Sequence, residues 1–326
     1  MGIVQATASV ATVVGTVGRS STSAMLTAVL GATSHNPRRT VVLLSRGSSE
    51  AAPDAPAKSW GEVLSSLDLE SIVAVPASDA RLIEAARLTG ARVVTFGFDA
   101  TAEVRGAGLH ASTGGTDYAV TIGSDRADVR LSLLGEHLAE NSLGALAAAH
   151  ANGVPLANAV AALEALSAAG EGIMSPVDAG GDILLIDDSA SMAPESVTAG
   201  LKALAMFGTE GHRTVAVIGE LDLGPSEDSA ALAAELHREA HDRIGRIVVR
   251  LNISSLIVVG DNARHIHNAA GLEGSWNGES VLVADAAAAY DRVREVVRPG
   301  DVVLVKSREA ATTILSALGA QQGGAR

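Results

Sequence analysis

ILLIDDSASMAPESV, residues 183–197, is the stretch that decides the fold of this chain. An apolar run at 183–186 leads into two carboxylates, a small polar loop and then Pro194, whose fixed backbone angle suits the first turn of a helix. This order predicts a buried strand, a connecting loop and a helix. The residues that follow repeat the pattern, with strands expected at 214–218, 256–259, 280–283 and 301–305. The second half of the chain is therefore predicted to form a doubly wound, Rossmann-like parallel sheet.

Composition and charge restrict the classes of function. The chain has 326 residues, which suits two domains, and 47% of them are apolar, enough to fill two cores. Its net charge of -13 and the lack of a basic stripe argue against nucleic-acid binding. With no cysteine, neither a disulfide framework nor a thiolate metal site is expected. The sequence shows no signal-peptide pattern and no run of roughly 18 apolar residues, so we expect a cytoplasmic protein without membrane insertion.

The first half begins with a candidate phosphate loop. A β-branched run at 10–14 is followed by GTVGRSST, residues 15–22, and by a helix-like stretch at 23–30. A strand, a glycine turn and a helix N-terminus together aim backbone N–H groups at an anion. The candidate phosphate contacts are Gly15, Thr16, Gly18, Arg19, Ser20 and Ser21. An ordinary strand-to-helix turn is the alternative interpretation.

Strand and helix patterns alternate through the rest of the first half, which predicts a parallel sheet. Strands are expected at 40–44, 71–75 and 92–96, and helices at 58–67, 79–88, 136–150 and 156–168. Residues 46–57 are rich in Gly, Ser, Ala and Pro and predict a surface loop, and short runs between 109 and 134 predict a small antiparallel sheet. The glycine-rich residues 169–172 mark the expected boundary between domains 1–172 and 173–326.

Polar side chains follow the predicted strands of the second half, at the edge where doubly wound sheets bind ligands. They are Asp187, Asp188, Glu220, Asp222, Asp261, Asn262, Asp285, Lys306, Ser307 and Arg308. The set is interpreted either as helix caps and soluble surface or as the rim of a ligand site.

The clearest helical pattern of the second half, residues 226–251, carries a predicted buried face. The apolar residues of this face are Leu232, Leu236, Ala240, Ile244, Ile247 and Leu251. His237 and His241 are four residues apart on the same helix. A solvated helix face is favoured for these two histidines over a metal site.

Five segments of the second half together resemble the C-terminal domain of the Mur ligases. They are IDDSASMAPESV, TVAVIGELDLG, AHDRIGRIVVRLNISSLIVVGDNARHIH, LEGSWNGESVLVADA and RPGDVVLVKSREA. In the first half, GTVGRSST is similar to the phosphate loop of the family, and GEHLAENSLGALAAAHANGVPL to the helix pair that ends its middle domain. The resemblance implies an α/β protein of two domains: a shortened, P-loop-like central domain and a Rossmann-like C-terminal domain, without the family's uridine-nucleotide domain.

The resemblance is greatest to the actinobacterial member that adds D-alanyl-D-alanine to the peptidoglycan precursor. It implies an ATP-dependent ligase in which a carboxylate is phosphorylated and an amine then displaces the phosphate. ATP and Mg²⁺ are the implied cofactors, and the peptidoglycan precursor and D-alanyl-D-alanine are the implied substrates. The implied catalytic residues are Arg19, His137 and Lys306. The implied nucleotide contacts are the residues of the glycine loop together with Asn141, Asp187 and Asp188. Ser20 is the implied Mg²⁺ ligand.

Departures from the family pattern leave a second hypothesis open. Arg19 stands where the family has lysine, and its wide planar group cannot simply replace a compact ammonium between two phosphates. Ala190, Ser191 and Ala193 stand where the family has a tyrosine and two asparagines. The metal-binding Glu and His of the family have no matching motif. Lys58 is interpreted either as the counterpart of the family's carbamylated lysine, although its spacing to Glu62 differs, or as a plain surface lysine. The alternative is a non-catalytic relative that binds or regulates other cell-wall enzymes.

Overall fold

The computed structural model describes residues 2–6, 11–15, 18–31, 38–44, 63–112, 114–166, 170–224, 229–274 and 276–319. The chain divides into two compact units, Met1–Gly170 and Glu171–Arg326. Several predicted features lie outside the described residues: Thr16, the loop at 46–57 and Lys58. No helix in the described ranges is both long enough and apolar enough to cross a membrane.

The first unit contains one eight-stranded sheet. Its strands are β1 (Gly2–Ala6), β2 (Ala11–Gly15), β3 (Thr40–Leu43), β4 (Ile72–Pro76), β5 (Arg92–Gly97), β6 (Val104–Ser112), β7 (Gly115–Ile122) and β8 (Asp125–Leu131). Its helices are α1 (Arg19–Gly31), α2 (Ala80–Arg87), α3 (Glu136–Ala151) and α4 (Leu156–Glu164). Apart from the helix predicted at 58–67, which begins outside the described ranges, the predicted strands and helices of this unit are confirmed to within a few residues, while β1 was not predicted.

The strands of this sheet lie side by side in chain order, β1 to β8. Strands β2 to β6 run parallel, and β1, β7 and β8 are antiparallel to their neighbours. The prediction of a separate small antiparallel sheet is therefore wrong. Phe96 of β5 pairs in parallel with Val104 of β6, so β6, β7 and β8 extend the sheet formed by the parallel strands.

Helix α3 packs closely on one face of this sheet because it has a glycine at the contact. A Cβ atom on Gly144 would lie 3.1 Å from the Phe96 ring and 3.2 Å from Val42. The opposite face is covered by Leu82 and Ala86 of α2. Helix α3 also packs against α1, and this contact places residues of α3 beside the glycine turn that precedes α1.

The second unit contains a six-stranded sheet in the order β13-β12-β11-β14-β10-β9. The strands are β9 (Ser175–Asp178), β10 (Leu184–Asp187), β11 (Thr214–Ile218), β12 (Ser255–Val259), β13 (Glu279–Val283) and β14 (Val302–Lys306). The helices are α5 (Pro194–Thr209), α6 (Ala230–Arg250), α7 (Arg264–Gly271), α8 (Ala286–Val296) and α9 (Arg308–Gly319). All strands are parallel except β9, which pairs antiparallel with β10 and was not predicted.

Helices cover both faces of this sheet, as the doubly wound prediction requires. Val293 of α8 and Ile314 of α9 share a core with Val303 of β14. On the other face, a Cβ atom on Gly200 of α5 would lie 3.4 Å from Leu304, the next residue of the same strand. Successive side chains of a strand point to opposite faces, which explains why a fully apolar run such as β14 is buried on both sides.

The predicted buried face of α6 is only partly buried. Ile244 is buried, but Leu232 is 44% exposed and Leu236 is 42% exposed. The apolar periodicity therefore predicted the helix correctly and was wrong about the burial of its first half. Periodicity identifies the apolar face of a helix, whereas burial depends on which other element covers that face.

Candidate functional site

The glycine turn before α1 is held by buried polar contacts. Gly18 has a φ of +77°, a conformation that favours glycine. Its carbonyl accepts hydrogen bonds from Oγ of Ser21 at 3.0 Å and from the backbone N–H of Thr22 at 2.9 Å. Nδ2 of Asn141 in α3 donates to Oγ of Ser21 at 3.0 Å. A Cβ atom on Gly18 would lie 2.7 Å from the Asn141 amide, so this packing also requires glycine.

The predicted phosphate contacts occupy different positions around this turn. Gly15 ends β2, and Arg19 and Ser20 begin α1. The hydroxyl of Ser21 is buried and engaged with Gly18 and Asn141, so its side chain fixes the turn. Ser20 is exposed. The exposed hydroxyl, the guanidinium and the N–H groups of the first helical turn form a donor set that fits a phosphate or a metal-bound phosphate.

Charged groups near the turn are partly desolvated. Partial burial lowers the pKa of the Arg19 guanidinium, which nevertheless stays charged at neutral pH. In α3, His137 precedes Asn141 by one helical turn, so both lie on the same side of the helix. Partial burial raises the pKa of the carboxyl of Glu140, a residue of α3 that sequence reasoning missed. Its position beside Asn141 was visible in the sequence, but its burial was not.

The two consecutive carboxylates of residues 183–197, Asp187 and Asp188, have different environments. Oδ1 of Asp187 accepts the backbone N–H of Ser189 at 3.1 Å and closes the turn after β10. Asp188 is buried, and its Oδ2 lies 2.7 Å from Nζ of Lys306. Nζ of Lys306 also donates to Oγ of Ser196 at 2.8 Å. This network ties β10, β14 and α5 together.

The buried pair is not exposed to a ligand in this structure. Burial lowers the pKa of Lys306 and raises the pKa of Asp188, and the attraction between the two charges opposes both shifts. The proposed roles of Lys306, Asp187 and Asp188 toward a nucleotide stay predictions.

A cleft of about 860 Å³ lies at the carboxyl edge of the second sheet. Its lining includes six of the predicted rim residues, Glu220, Asp222, Asp261, Asn262, Ser307 and Arg308. The cleft spans the ends of β11 and β14, which are neighbours in the sheet. After β11 the chain enters α6, which packs with α5 and α7 on one face of the sheet. After β14 the chain enters α9, which packs on the opposite face. Open α/β sheets bind ligands at such a switch point.

Besides Asp187, Asp188 and Lys306, two further predicted rim residues form structural hydrogen bonds. Oδ1 of Asp285 accepts the N–H of Ala288 at 2.9 Å, so this carboxylate caps α8. Oγ of Ser307 accepts the N–H of Ala310 at 3.2 Å and caps α9 while also lining the cleft. Some of the predicted rim residues therefore cap helices, others line the cleft, and Ser307 does both.

The lining of the cleft is acidic. Glu220, Asp222, Asp261 and Glu309 contribute carboxylates, and Arg308 contributes a positive charge. Nδ2 of Asn262 donates to Oε2 of Glu220 at 3.0 Å and orients that carboxylate. A cleft with this charge balance favours a ligand with a positively charged group such as an amine. Across the described residues, no three His, Asp or Glu side chains converge to hold a metal ion, and the role of Ser20 toward Mg²⁺ stays a prediction.

The loop that forms one wall of the cleft is held by three backbone N–H groups. Gly219 donates to the carbonyl of Lys306 at 3.0 Å, and Asp222 donates to the carbonyl of Met192 at 2.9 Å. Between them, the N–H of Leu221 donates to Nε2 of His241 at 3.1 Å. His241 is fully buried. The prediction of a solvated helix face is therefore wrong for His241.

His241 lies on the buried side of α6, which differs from the apolar face that the sequence predicted. His241, Ile244, Gly245 and Val248 are the buried residues of α6, and they recur at three- and four-residue steps. The other histidine of the pair, His237, is partly exposed, and its Nε2 lies 3.4 Å from Oε1 of Glu220.

Two family descriptions match the chain. Residues 53–149 match the Mur ligase middle domain, and residues 174–308 match the Mur ligase glutamate ligase domain. Together these ranges include most of the chain, and the chain belongs to the Mur ligase family.

Curated relatives show which members of this family the chain is similar to. The UDP-N-acetylmuramoyl-tripeptide--D-alanyl-D-alanine ligases of Mycobacterium bovis and Mycobacterium tuberculosis are each 36% identical to this chain over 276 residues. The aligned region covers 77% of this chain and 52% of each relative. The chain therefore spans about half the length of the curated relatives it matches.

Solved structures support the predicted fold. MurF from Acinetobacter baumannii has a TM-score of 0.76 at 19% identity, covering 95% of this chain and 76% of that one. The MurF ligase from Thermotoga maritima in complex with ADP has a TM-score of 0.75 at 16% identity, covering 97% of this chain and 80% of that one. At these identities the two structures show the fold alone, and they confirm the predicted α/β architecture of Mur ligase middle and C-terminal domains.

Proposed function

We propose that this chain is an ATP-dependent ligase of peptidoglycan precursor synthesis that joins a carboxylate of the muramoyl tripeptide to the amine of D-alanyl-D-alanine. The observation that carries the proposal is the 36% identity over 276 residues to ligases named for this reaction. Those relatives are about twice as long as the region matched here, so their activity is extended to this chain as a proposal. The ADP bound to the Thermotoga maritima structure supports a nucleotide as co-substrate.

The glycine turn of the first unit suits the nucleotide phosphates. The N–H groups at the start of α1 and the guanidinium of Arg19 would bind the phosphate oxygens, and the hydroxyl of Ser20 would contact Mg²⁺. Ser21 and Asn141 would not contact the nucleotide through their side chains but would hold Gly18 in its left-handed conformation. When bound, ATP supplies the phosphoryl group that converts the substrate carboxylate into a reactive acyl phosphate.

The acidic cleft of the second unit suits the incoming amine. Carboxylates of Glu220, Asp222 and Asp261 would attract and orient an ammonium group. The amine must lose a proton before its nitrogen attacks the acyl carbon and phosphate leaves. A carboxylate in the lining is a chemically suitable acceptor for that proton.

A ligation assay tests the proposal directly. The full chain is incubated with ATP, Mg²⁺, the UDP-linked muramoyl tripeptide and D-alanyl-D-alanine, and the product is measured by mass spectrometry together with release of ADP. We expect product that depends on both substrates, and an Arg19→Ala variant should lower the ATP affinity at least about tenfold because it removes a cation beside phosphate. A Gly31→Ala variant at the far end of α1 is the matched control.

Calorimetry with ATP and Mg²⁺ separates the two hypotheses that the sequence leaves open. Nucleotide binding without any product would contradict ligase activity and leave a non-catalytic, nucleotide-binding member of the family, consistent with Arg19 in place of lysine. Absence of nucleotide binding would contradict the proposed role of the glycine turn. A cytoplasmic location and an association with other cell-wall enzymes stay predictions from the sequence.

A further inference from the structure

The cleft loop, residues 219–222, is held in the described structure by three hydrogen bonds from its backbone N–H groups. Only one of the three acceptors is a side chain, that of His241. The other two acceptors, at Lys306 and Met192, are backbone carbonyls that substitution does not remove. Of these three hydrogen bonds, the one between Leu221 and His241 is therefore the one that a substitution of the acceptor can remove. Its amide donor, Leu221, lies between the two cleft carboxylates Glu220 and Asp222.

The hydrogen bonds of His241 define its protonation state. Nε2 accepts the N–H of Leu221 at 3.1 Å, so Nε2 carries no proton. Nδ1 lies 2.7 Å from the carbonyl oxygen of His237, so Nδ1 carries the proton and donates it to that oxygen. The imidazole is neutral, and an imidazolium would have an N–H pointing at the Leu221 N–H.

The surroundings of His241 maintain the neutral form. Burial lowers its pKa to about 4, and the nearby charges of His237 and His265 act in the same direction. The charge of Glu220, from the loop, and the carbonyl of His237 oppose the shift. The centroids of the His237 and His241 rings lie 4.0 Å apart, and the ring planes are tilted by 32°. On the neighbouring helix α7, Nδ1 of His265 lies 4.0 Å from Oδ1 of Asp242.

We propose that His241 is a positioning residue for the cleft, and that its neutral imidazole holds the Leu221 amide so that Glu220 and Asp222 face the ammonium group of the incoming substrate. The part of this inference that concerns the substrate rests on the proposed function. The part that concerns the loop rests on the contact between Leu221 and His241 alone. His241 acts through the loop and does not touch the reacting atoms.

Three variants of the full chain separate positioning from general stability. His241→Leu removes the acceptor, His241→Gln keeps an acceptor in its side-chain carbonyl, and His237→Gln alters the neighbouring ring without touching Leu221. Amide hydrogen exchange of residues 219–222 is measured by NMR, with the imidazole ¹⁵N shifts of the wild type as a report on the tautomer. We expect exchange at Leu221 to rise about tenfold or more in His241→Leu, the size expected for one buried hydrogen bond.

The controls define the outcomes of the exchange experiment. His241→Gln and His237→Gln should keep exchange at Leu221 within about threefold of the wild type. A similar rise in all buried strands of His241→Leu would show general destabilisation and would overturn the positioning role. Imidazole shifts that place a proton on Nε2 at neutral pH would overturn the proposed hydrogen bond.

Kinetics with D-alanyl-D-alanine as the probe test the link to function. In His241→Leu the KM for D-alanyl-D-alanine should rise about tenfold while kcat and the KM for ATP stay within about threefold, and His241→Gln should restore most of the loss. An active enzyme whose KM is unchanged in His241→Leu would overturn the positioning role and leave the proposed function intact. If the wild type forms no product, the proposed function fails, and the exchange experiment still decides whether His241 holds the loop.

Discussion

Nζ of Lys306 lies 2.7 Å from Oδ2 of Asp188, and both side chains are buried at the carboxyl ends of neighbouring parallel strands. The removal of two charges from water costs several kcal/mol for each ion, which their attraction and additional hydrogen bonds must offset. Ser196 and the N–H of Met174 provide those bonds. The pair therefore fixes the position of the loop after β10 at a considerable cost in desolvation.

We predict that Lys306→Met destabilises the second unit by about 3 kcal/mol or more, because it leaves Asp188 buried without its partner. The double variant Asp188→Leu with Lys306→Met should recover most of this loss, since it removes both desolvated charges. Urea unfolding followed by circular dichroism measures both. Arg238→Ala is the control, because Arg238 and Asp242 form a more exposed pair whose loss should cost no more than about 0.5 kcal/mol. Equal effects of Lys306→Met and Arg238→Ala would contradict the prediction.

Gly18→Ala should weaken the glycine turn. A left-handed conformation costs a residue with a Cβ atom about 1–2 kcal/mol, and the new methyl group would overlap the Asn141 amide. We expect a loss of at least that size in unfolding free energy, together with lower ATP affinity if the turn binds phosphate. Gly31→Ala, at the end of the helix that follows this turn, is the matched control, since nothing lies within 4 Å of the new atom. Unchanged thermal unfolding of Gly18→Ala would show that the turn adapts freely.

Gly245→Ala should separate α6 from α7. A Cβ atom at this position would lie 2.3 Å from the backbone oxygen of Ile266 and 2.9 Å from Cβ of Ala269. Because a backbone atom cannot move aside as a side chain can, we expect a loss of about 1–3 kcal/mol from overpacking. Gly271→Ala, at the end of α7 with open space around it, should change stability little. Denaturant unfolding of the two variants provides the comparison, and indistinguishable midpoints would contradict the close approach of the helices.

The stability of the second unit should fall on acidification through His241. Its folded pKa of about 4 is below the ordinary value of 6.5, so between these values the unfolded chain binds more protons than the folded one. This contribution is fully present above about pH 6.5 and is lost as the pH falls to about 4, amounting to about 3 kcal/mol at about 1.4 kcal/mol for each pKa unit. His241→Gln does not titrate and should lose less stability than the wild type between pH 7 and pH 4.5. Parallel curves for the two proteins would show that His241 titrates normally.

Much of the architecture was predictable because it is encoded locally. The apolar runs 214–218 and 301–305 predicted β11 and β14 nearly residue for residue, and the glycine spacing before α1 predicted a strand-to-helix turn. Six of the predicted rim residues also line one cleft, because the carboxyl ends of parallel strands meet at one edge of a sheet. These features depend on periodicity and turn chemistry over a few residues.

The sequence by itself determined the family, the alternation of strands and helices, and the edge of the sheet where polar residues gather. Only the tertiary structure decided that β6, β7 and β8 extend the parallel sheet, that Lys306 is buried against Asp188, and that His241 is buried while Leu232 is exposed. The physical reason is the same in each case. A local pattern shows which face of an element is apolar, but pairing and burial depend on residues distant in the chain that cover that face.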